Sequence, residues 1–137
     1  MRYSRQLSLR CALVLIVLAA CGRSDSVLSP HFAQGTYTLE SVHGRGAASG
    51  IMVLSPTGDV ARRVRYAQAG GTQSQEYVDV GTFRLTAGGV VELQLREDGG
   101  RSSNVWQPRA TLTGSVLALQ YPDPADGPDI VESYRRQ

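Results

Sequence analysis

The side chains that could do chemistry in this chain are few, and their spacing excludes more than it permits. His31 and His43 have no second His or Cys at ligand spacing, so no metal site is expected. No Gly-x-Ser-x-Gly elbow is present to expose a nucleophilic serine. Glu76 and Asp79 are three positions apart, which on a strand points them to opposite faces and argues against a shared acid–base pair. Glu97 and Asp98 fall in the turn-like EDGGRSS segment and read as solvated. Arg62, Arg63 and Arg65 look like a basic cluster, but two-residue alternation sets Arg62 apart from the other two. Arg63 and Arg65 read as an outer, solvated face, and Arg62 falls on the apolar side. Neither an enzyme nor a cofactor is expected. What remains is one thiol, that of Cys21, and a set of aromatic side chains.

Cys21 closes a segment with the build of an export signal. Met1 to Arg10 carries Arg2, Arg5 and Arg10 and no acid, and Cys11 to Ala20 follows without a charge. A basic start, a short apolar run and small residues before a cut form a signal peptide. The apolar run is half the ~20 residues a spanning helix needs. Its end, Leu18-Ala19-Ala20-Cys21, resembles the lipobox of bacterial lipoproteins. That resemblance implies that Leu18, Ala19 and Ala20 are read by the signal peptidase. It implies that the Cys21 thiol accepts a diacylglyceryl group, and that its freed amine is acylated as well. Cys11 is not an alternative, because Arg10 precedes it. Two or more acyl chains such as palmitate hold a protein on a bilayer stably, where one does so only marginally. Gly22 rather than Asp follows the cysteine, which under the common sorting rule implies the outer membrane, facing the periplasm.

Removing residues 1–20 changes the charge balance. The signal holds three of the fourteen arginines and none of the twelve acids, so the mature chain has eleven basic and twelve acidic residues. The basic excess of the precursor belongs to the signal, and no nucleic-acid partner is implied. With one cysteine discarded and the other lipidated, no disulfide is expected.

The elements that must position the aromatic residues are short strands. Residues 21–34 read as the lipidated cysteine and a tether, and residues 35–137 as one β domain. From Gly35 onward apolar residues recur every second position in runs broken by turns. The runs are Thr36–Val42, Ile51–Leu54, Val60–Ala67, Gln75–Val80 passing into Gly81–Thr86, Val90–Arg96, Val105–Thr113, Val116–Tyr121 and Ile130–Arg135. No helical periodicity is sustained. Eight or nine such strands predict an all-β fold, a single antiparallel up-and-down barrel of about eight strands, with a β-sandwich as the alternative. Barrel closure leaves no long unpaired edge.

The order of a GTYTLESV opening, a VLSPTGDV hairpin, a DVGTFRL strand, an LTGSVLALQY hairpin and a closing SYRR is similar to small lipocalin-like proteins of bacteria. In lipocalins a Gly-x-Trp opens the first strand and a late Arg packs across the Trp. Gly35-Thr36-Tyr37 stands at the first position and Arg135 at the second. The resemblance implies a barrel that binds a small hydrophobic or amphipathic ligand, lined by Tyr37, Tyr66, Tyr77, Phe83 and Tyr121. Two functions stay open: a non-enzymatic, lipid-anchored envelope protein holding such a ligand, or a structural lipoprotein with a filled barrel that meets an envelope protein through its outer surface. A cavity would mark the first and an exposed apolar patch the second. Trp106 and the Pro122–Pro128 loop are candidates for that patch.

Overall fold

The computed structural model describes residues 27–46, 48–68, 73–99 and 104–137. The expected signal peptide, with Leu18, Ala19, Ala20 and the lipidation site Cys21, lies outside the described residues.

Alternating sequence becomes alternating burial. Along β4, Asp59–Ala67, every second residue from Val60 to Tyr66 is buried and every other one is exposed. The same two-residue period runs through β6, Val90–Glu97. The remaining strands are β1 (Val27–Leu28), β2 (Gly35–His43), β3 (Ala48–Leu54), β5 (Ser74–Thr86), β7 (Arg109–Thr113), β8 (Val116–Tyr121) and β9 (Ile130–Arg136). The only helical element among the described residues is a 3-10 turn at Pro30–Phe32.

Each strand from β2 to β9 pairs antiparallel with its sequence neighbours, and β2 pairs with β9 to complete the ring. The fold is therefore a closed, eight-stranded up-and-down barrel. The sandwich alternative is excluded, because two packed sheets would leave edges where β2–β9 and β5–β6 are hydrogen-bonded.

Strand β5 makes the closure possible. It runs unbroken for 13 residues, pairing with β4 through its first two-thirds and with β6 from Asp79 to Leu85. Gly81 sits where both ladders overlap, opposite Val60 and Leu95. A Cβ there would lie 1.8 Å from the Gln94 carbonyl oxygen, so only glycine permits this approach. Past the end of β4, the β5 edge is covered by β1, through Val27 opposite Thr86 and Leu28 opposite Leu85. Pairing thus begins at Val27, eight residues before the start read from sequence. A two-residue strand beside a Pro-containing turn is too short to show a period.

Two other boundaries shift. The run read as Val105–Thr113 divides into an isolated bridge, Trp106 to Leu95, and β7 from Arg109. Pro108 separates them, since it has no N–H to donate to a ladder. The run read as Ile51–Leu54 extends back to Ala48.

The two ends of the barrel differ. At one end lie β1, the 3-10 turn, the chain terminus at Gln137, and the turns after β3, β5 and β7. The β5–β6 turn is tight: Gly89 adopts φ +76° and its N–H donates to the Thr86 carbonyl. The interior here is filled by Tyr37, Met52, Leu54, Phe83, Leu85, Val91, Leu93 and Leu117, all at most 3% exposed. Tyr37 donates to the Ala33 carbonyl at 2.7 Å, and Arg136 closes the end from above. The Arg136 guanidinium sits 5.3 Å from the Tyr37 ring centroid and donates to its hydroxyl and to the Phe32 carbonyl. The residue packing across the first-strand aromatic is therefore Arg136 and not Arg135. Arg136 stands opposite Tyr37 in the ladder, whereas Arg135 stands opposite Thr38 and pairs with Glu40 on the outer face.

Candidate functional site

At the other end the interior is polar. Arg62 of β4, Asp79 of β5 and Glu132 of β9 all follow the inward phase of their strands. Arg62 is 3% exposed, Asp79 5% and Glu132 0%. Arg62 and Asp79 are direct cross-strand partners. Glu132 lies across the lumen, and Arg62 reaches it there.

Each nitrogen of the Arg62 guanidinium has a partner. Arg62 Nη1 donates to Asp79 Oδ2 at 2.6 Å, and Nη2 donates to Glu132 Oε1 at 2.6 Å and to the Tyr66 hydroxyl at 2.9 Å. Its Nε donates to Glu132 Oε2 at 3.2 Å and to the Tyr134 hydroxyl at 3.1 Å. Glu132 also accepts from Tyr121 and Tyr134 at 2.7 Å each, and from Tyr66. Trp106 Nε1 donates to Asp79 Oδ1 at 3.3 Å. Among the described residues, no buried side-chain nitrogen or oxygen lacks a partner. A charge buried in a barrel is tolerable only when paired and hydrogen-bonded in this way.

The layer sets the protonation of its members. Burial alone would lower the pKa of Arg62, but the oxygens of Tyr134 and Glu132 outweigh it and hold the guanidinium charged. Burial pushes the phenol of Tyr134 well above its ordinary value; Glu132 raises it further and Arg62 opposes. Burial also raises Tyr121, against the pull of Arg62 and Arg45.

Above this floor is a cleft of about 390 Å³, lined by Arg45, Arg62, Tyr66, Tyr77, Asp79, Glu97, Asn104, Trp106, Tyr121 and Pro124. Its volume is at the lower end of the range for small-molecule sites, ~300–1,000 Å³. The aromatic walls are interlocked. Trp106 meets Tyr121 edge-on at 5.2 Å between centroids, and Tyr66 meets Tyr77 edge-on at 5.8 Å. Arg62 lies 5.6 Å from the Trp106 ring. The rim comes from the β2–β3, β6–β7 and β8–β9 connections, through Arg45, Asn104 and Pro124. Such a surface can hold a flat or amphipathic small molecule by stacking, with polar groups at its rim and floor. Among the described residues, no three His, Cys, Asp or Glu side chains converge as a metal-ligand set.

Of the residues read as ligand-lining, the cleft brings together Tyr66, Tyr77 and Tyr121. Tyr37 and Phe83 do not reach it; they are buried in the filled end, 0% and 3% exposed. Alternation tells which side of a strand faces in, but not the height of a residue along the barrel. Arg62, which alternation set on the apolar side of its strand, is buried there as the hub of the polar layer, a role the sequence did not reveal. Trp106 belongs to the cleft and is half-buried, not part of an exposed patch. Arg45, Asp79 and Glu132 were missed as site residues. The available signal was an ionisable residue in the inward phase, as with Arg62 between Val60 and Val64 or Glu132 between Ile130 and Tyr134.

No family model, no curated protein and no solved structure matches this chain. The site must be read from its own geometry.

Proposed function

We propose that this chain is a lipid-anchored protein of the cell envelope, a lipocalin-like barrel that binds a small amphipathic molecule at its open end. The observation that carries the binding reading is the contrast between the two ends. One is packed shut by Tyr37, Arg136 and the apolar core, and the other holds an aromatic cleft over a polar floor. A barrel that served only as a scaffold would gain stability from filling both ends. The fixed floor also orients Tyr66, Tyr121 and Trp106 through their polar tips, the preorganisation a binding site needs.

The anchoring reading rests on the lipobox-like Leu18-Ala19-Ala20-Cys21. Five residues separate Cys21 from Val27, and the six steps between them span at most about 20 Å. Val27 enters the barrel at the closed end, where Phe32 is 64% exposed. The closed end then lies toward the bilayer and the cleft opens away from it. The ligand would reach the site from the aqueous side.

A second reading keeps the outer surface as the working face. Ile51 and Val53, 50% and 42% exposed, share the outward phase of β3, and Ala61 stands opposite Val53 on β4. They form an apolar strip available to an envelope protein.

Trp106 is the sole tryptophan of the chain and lines the cleft, so its emission reports occupancy. Titrating small-molecule extract of the source envelope into the purified protein should shift or quench that emission saturably. The response should be lost in Tyr77→Ala. An emission that stays unchanged, together with retention of an envelope protein that Ile51→Ser/Val53→Ser releases, would replace the first reading by the second.

A further inference from the structure

The cleft has two guanidinium groups, and they differ in how they are satisfied. Arg62 is committed, with Nε, Nη1 and Nη2 all donating to Asp79, Glu132 and the tyrosine hydroxyls. Arg45 is half-buried at the rim and lies over two rings, 4.8 Å from the Tyr66 centroid and 5.7 Å from that of Tyr77. Among the described residues, no carboxylate, hydroxyl or carbonyl accepts from it. Cation–π contact fixes a guanidinium in place without consuming its five N–H donors.

The backbone around Arg45 supports this placement. Gly44 adopts φ +85°, and a Cβ there would come within 3.0 Å of the Asp129 carbonyl oxygen. The tip of the β2–β3 connection is thereby pressed against the β8–β9 connection, which carries Pro124 on the far rim. The arginine is delivered over the aromatic wall by a constrained turn.

The carboxylates of the cleft do not cancel it. Asp79 and Glu132 share the one positive charge of Arg62, and their remaining oxygens accept from the Trp106 N–H and the tyrosine hydroxyls, so the one negative charge left over is held within the buried floor and does not reach Arg45. Glu97 is exposed, where solvent and salt screen it. A ligand entering the cleft meets aromatic faces and one charged donor set that no acceptor among the described residues occupies.

We infer that the ligand is an amphipathic anion: a flat or apolar body seated among Tyr66, Tyr77, Trp106 and Tyr121, with a carboxylate, sulfonate or phosphate group taken by Arg45. This rests on the reading of the cleft as a ligand site and specifies its chemistry. Arg is the side chain suited to such a role, since its planar fork meets two oxygens of an oxyanion at once.

A matched pair of probes tests it. 8-Anilinonaphthalene-1-sulfonate and N-phenyl-1-naphthylamine share a ring skeleton and differ by the sulfonate. Each is titrated into the full-length protein, with quenching of Trp106 and probe emission as readouts and circular dichroism to confirm folding of each variant. The sulfonate probe should bind about tenfold tighter, the scale of one charge-assisted hydrogen bond. Arg45→Gln should remove that preference and leave the neutral probe unaffected. Arg45→Lys should keep part of it, and Tyr77→Ala should weaken both probes. Equal affinity for the two probes, or a preference that survives Arg45→Gln, would overturn the anion assignment while leaving the cleft a binding site. Tighter binding of the neutral probe after Arg45→Gln would make Arg45 a plug, and also overturns it. Failure of both probes to quench Trp106 would remove the ligand site itself.

Discussion

Arg62 decides the character of the open end. It ties β4 to β5 through Asp79 and crosses the lumen to β9 through Glu132. Removing one member of a buried ionic set leaves the others uncompensated, so Arg62→Ala should cost about 3–5 kcal/mol. The triple replacement Arg62→Met, Asp79→Asn and Glu132→Gln removes the charges together and should recover most of that loss. Urea unfolding reads both as midpoint shifts at constant slope. A triple variant no better than Arg62→Ala would mean that specific bonding, and not charge balance, holds the layer. Tyr121 and Tyr134 give a second test. Both phenols are raised above their ordinary value, burial being the larger cause. A phenol whose folded pKa exceeds its unfolded value, ~10, stabilises the fold fully below that value and loses the contribution as pH rises through the folded one. Stability should therefore be level up to about pH 10 and fall above it. Absorbance at 295 nm should show both phenols ionising above the ordinary ~10, with Tyr134 resisting until the fold is lost. Their ionisation near pH 10 in an intact barrel would contradict the buried layer.

At the scale of the strand, β5 carries the closure and Gly81 carries β5. Gly81→Ala forces a Cβ to within 1.8 Å of the Gln94 carbonyl, so one ladder must give. The expected loss is roughly 1–3 kcal/mol, a fall in Tm of roughly 5–15 °C. Gly88, in the β5–β6 turn, has open space around its Cβ position, and Gly88→Ala should change stability by no more than about 0.5 kcal/mol. Scanning calorimetry on the pair separates close approach from a general effect of losing glycine. The strands were legible because alternation and turn residues act locally. The inward phase of Tyr66, Tyr77, Phe83 and Leu119 followed directly, and so did the all-β class. Three things were not legible. The height of Tyr37 and Phe83 in the barrel depends on stagger, which arises between strands. The partner of Arg62 is 70 residues away on β9, a contact that only closure creates. The break at Pro108 hid inside an apolar run, because Trp106 still pairs with Leu95 beyond it.

At the scale of the molecule, the barrel has a closed end and an open one, and the chain enters at the closed end. The core and the polar layer divide the interior, which accounts for large inward residues beside an available cleft. Both sequence-based pictures of the interior, filled and hollow, thus describe one part of the same barrel. The arrangement makes the molecule a small cup, with Arg45, Asn104 and Pro124 on its rim. Native mass spectrometry of the protein, purified gently from its own source, tests this most directly. A reproducible added mass beyond the covalent chain is expected, removed by organic extraction and absent from a variant carrying Tyr77→Ala and Arg45→Gln. A bare covalent mass from every preparation, or an adduct retained equally by that variant, would contradict it.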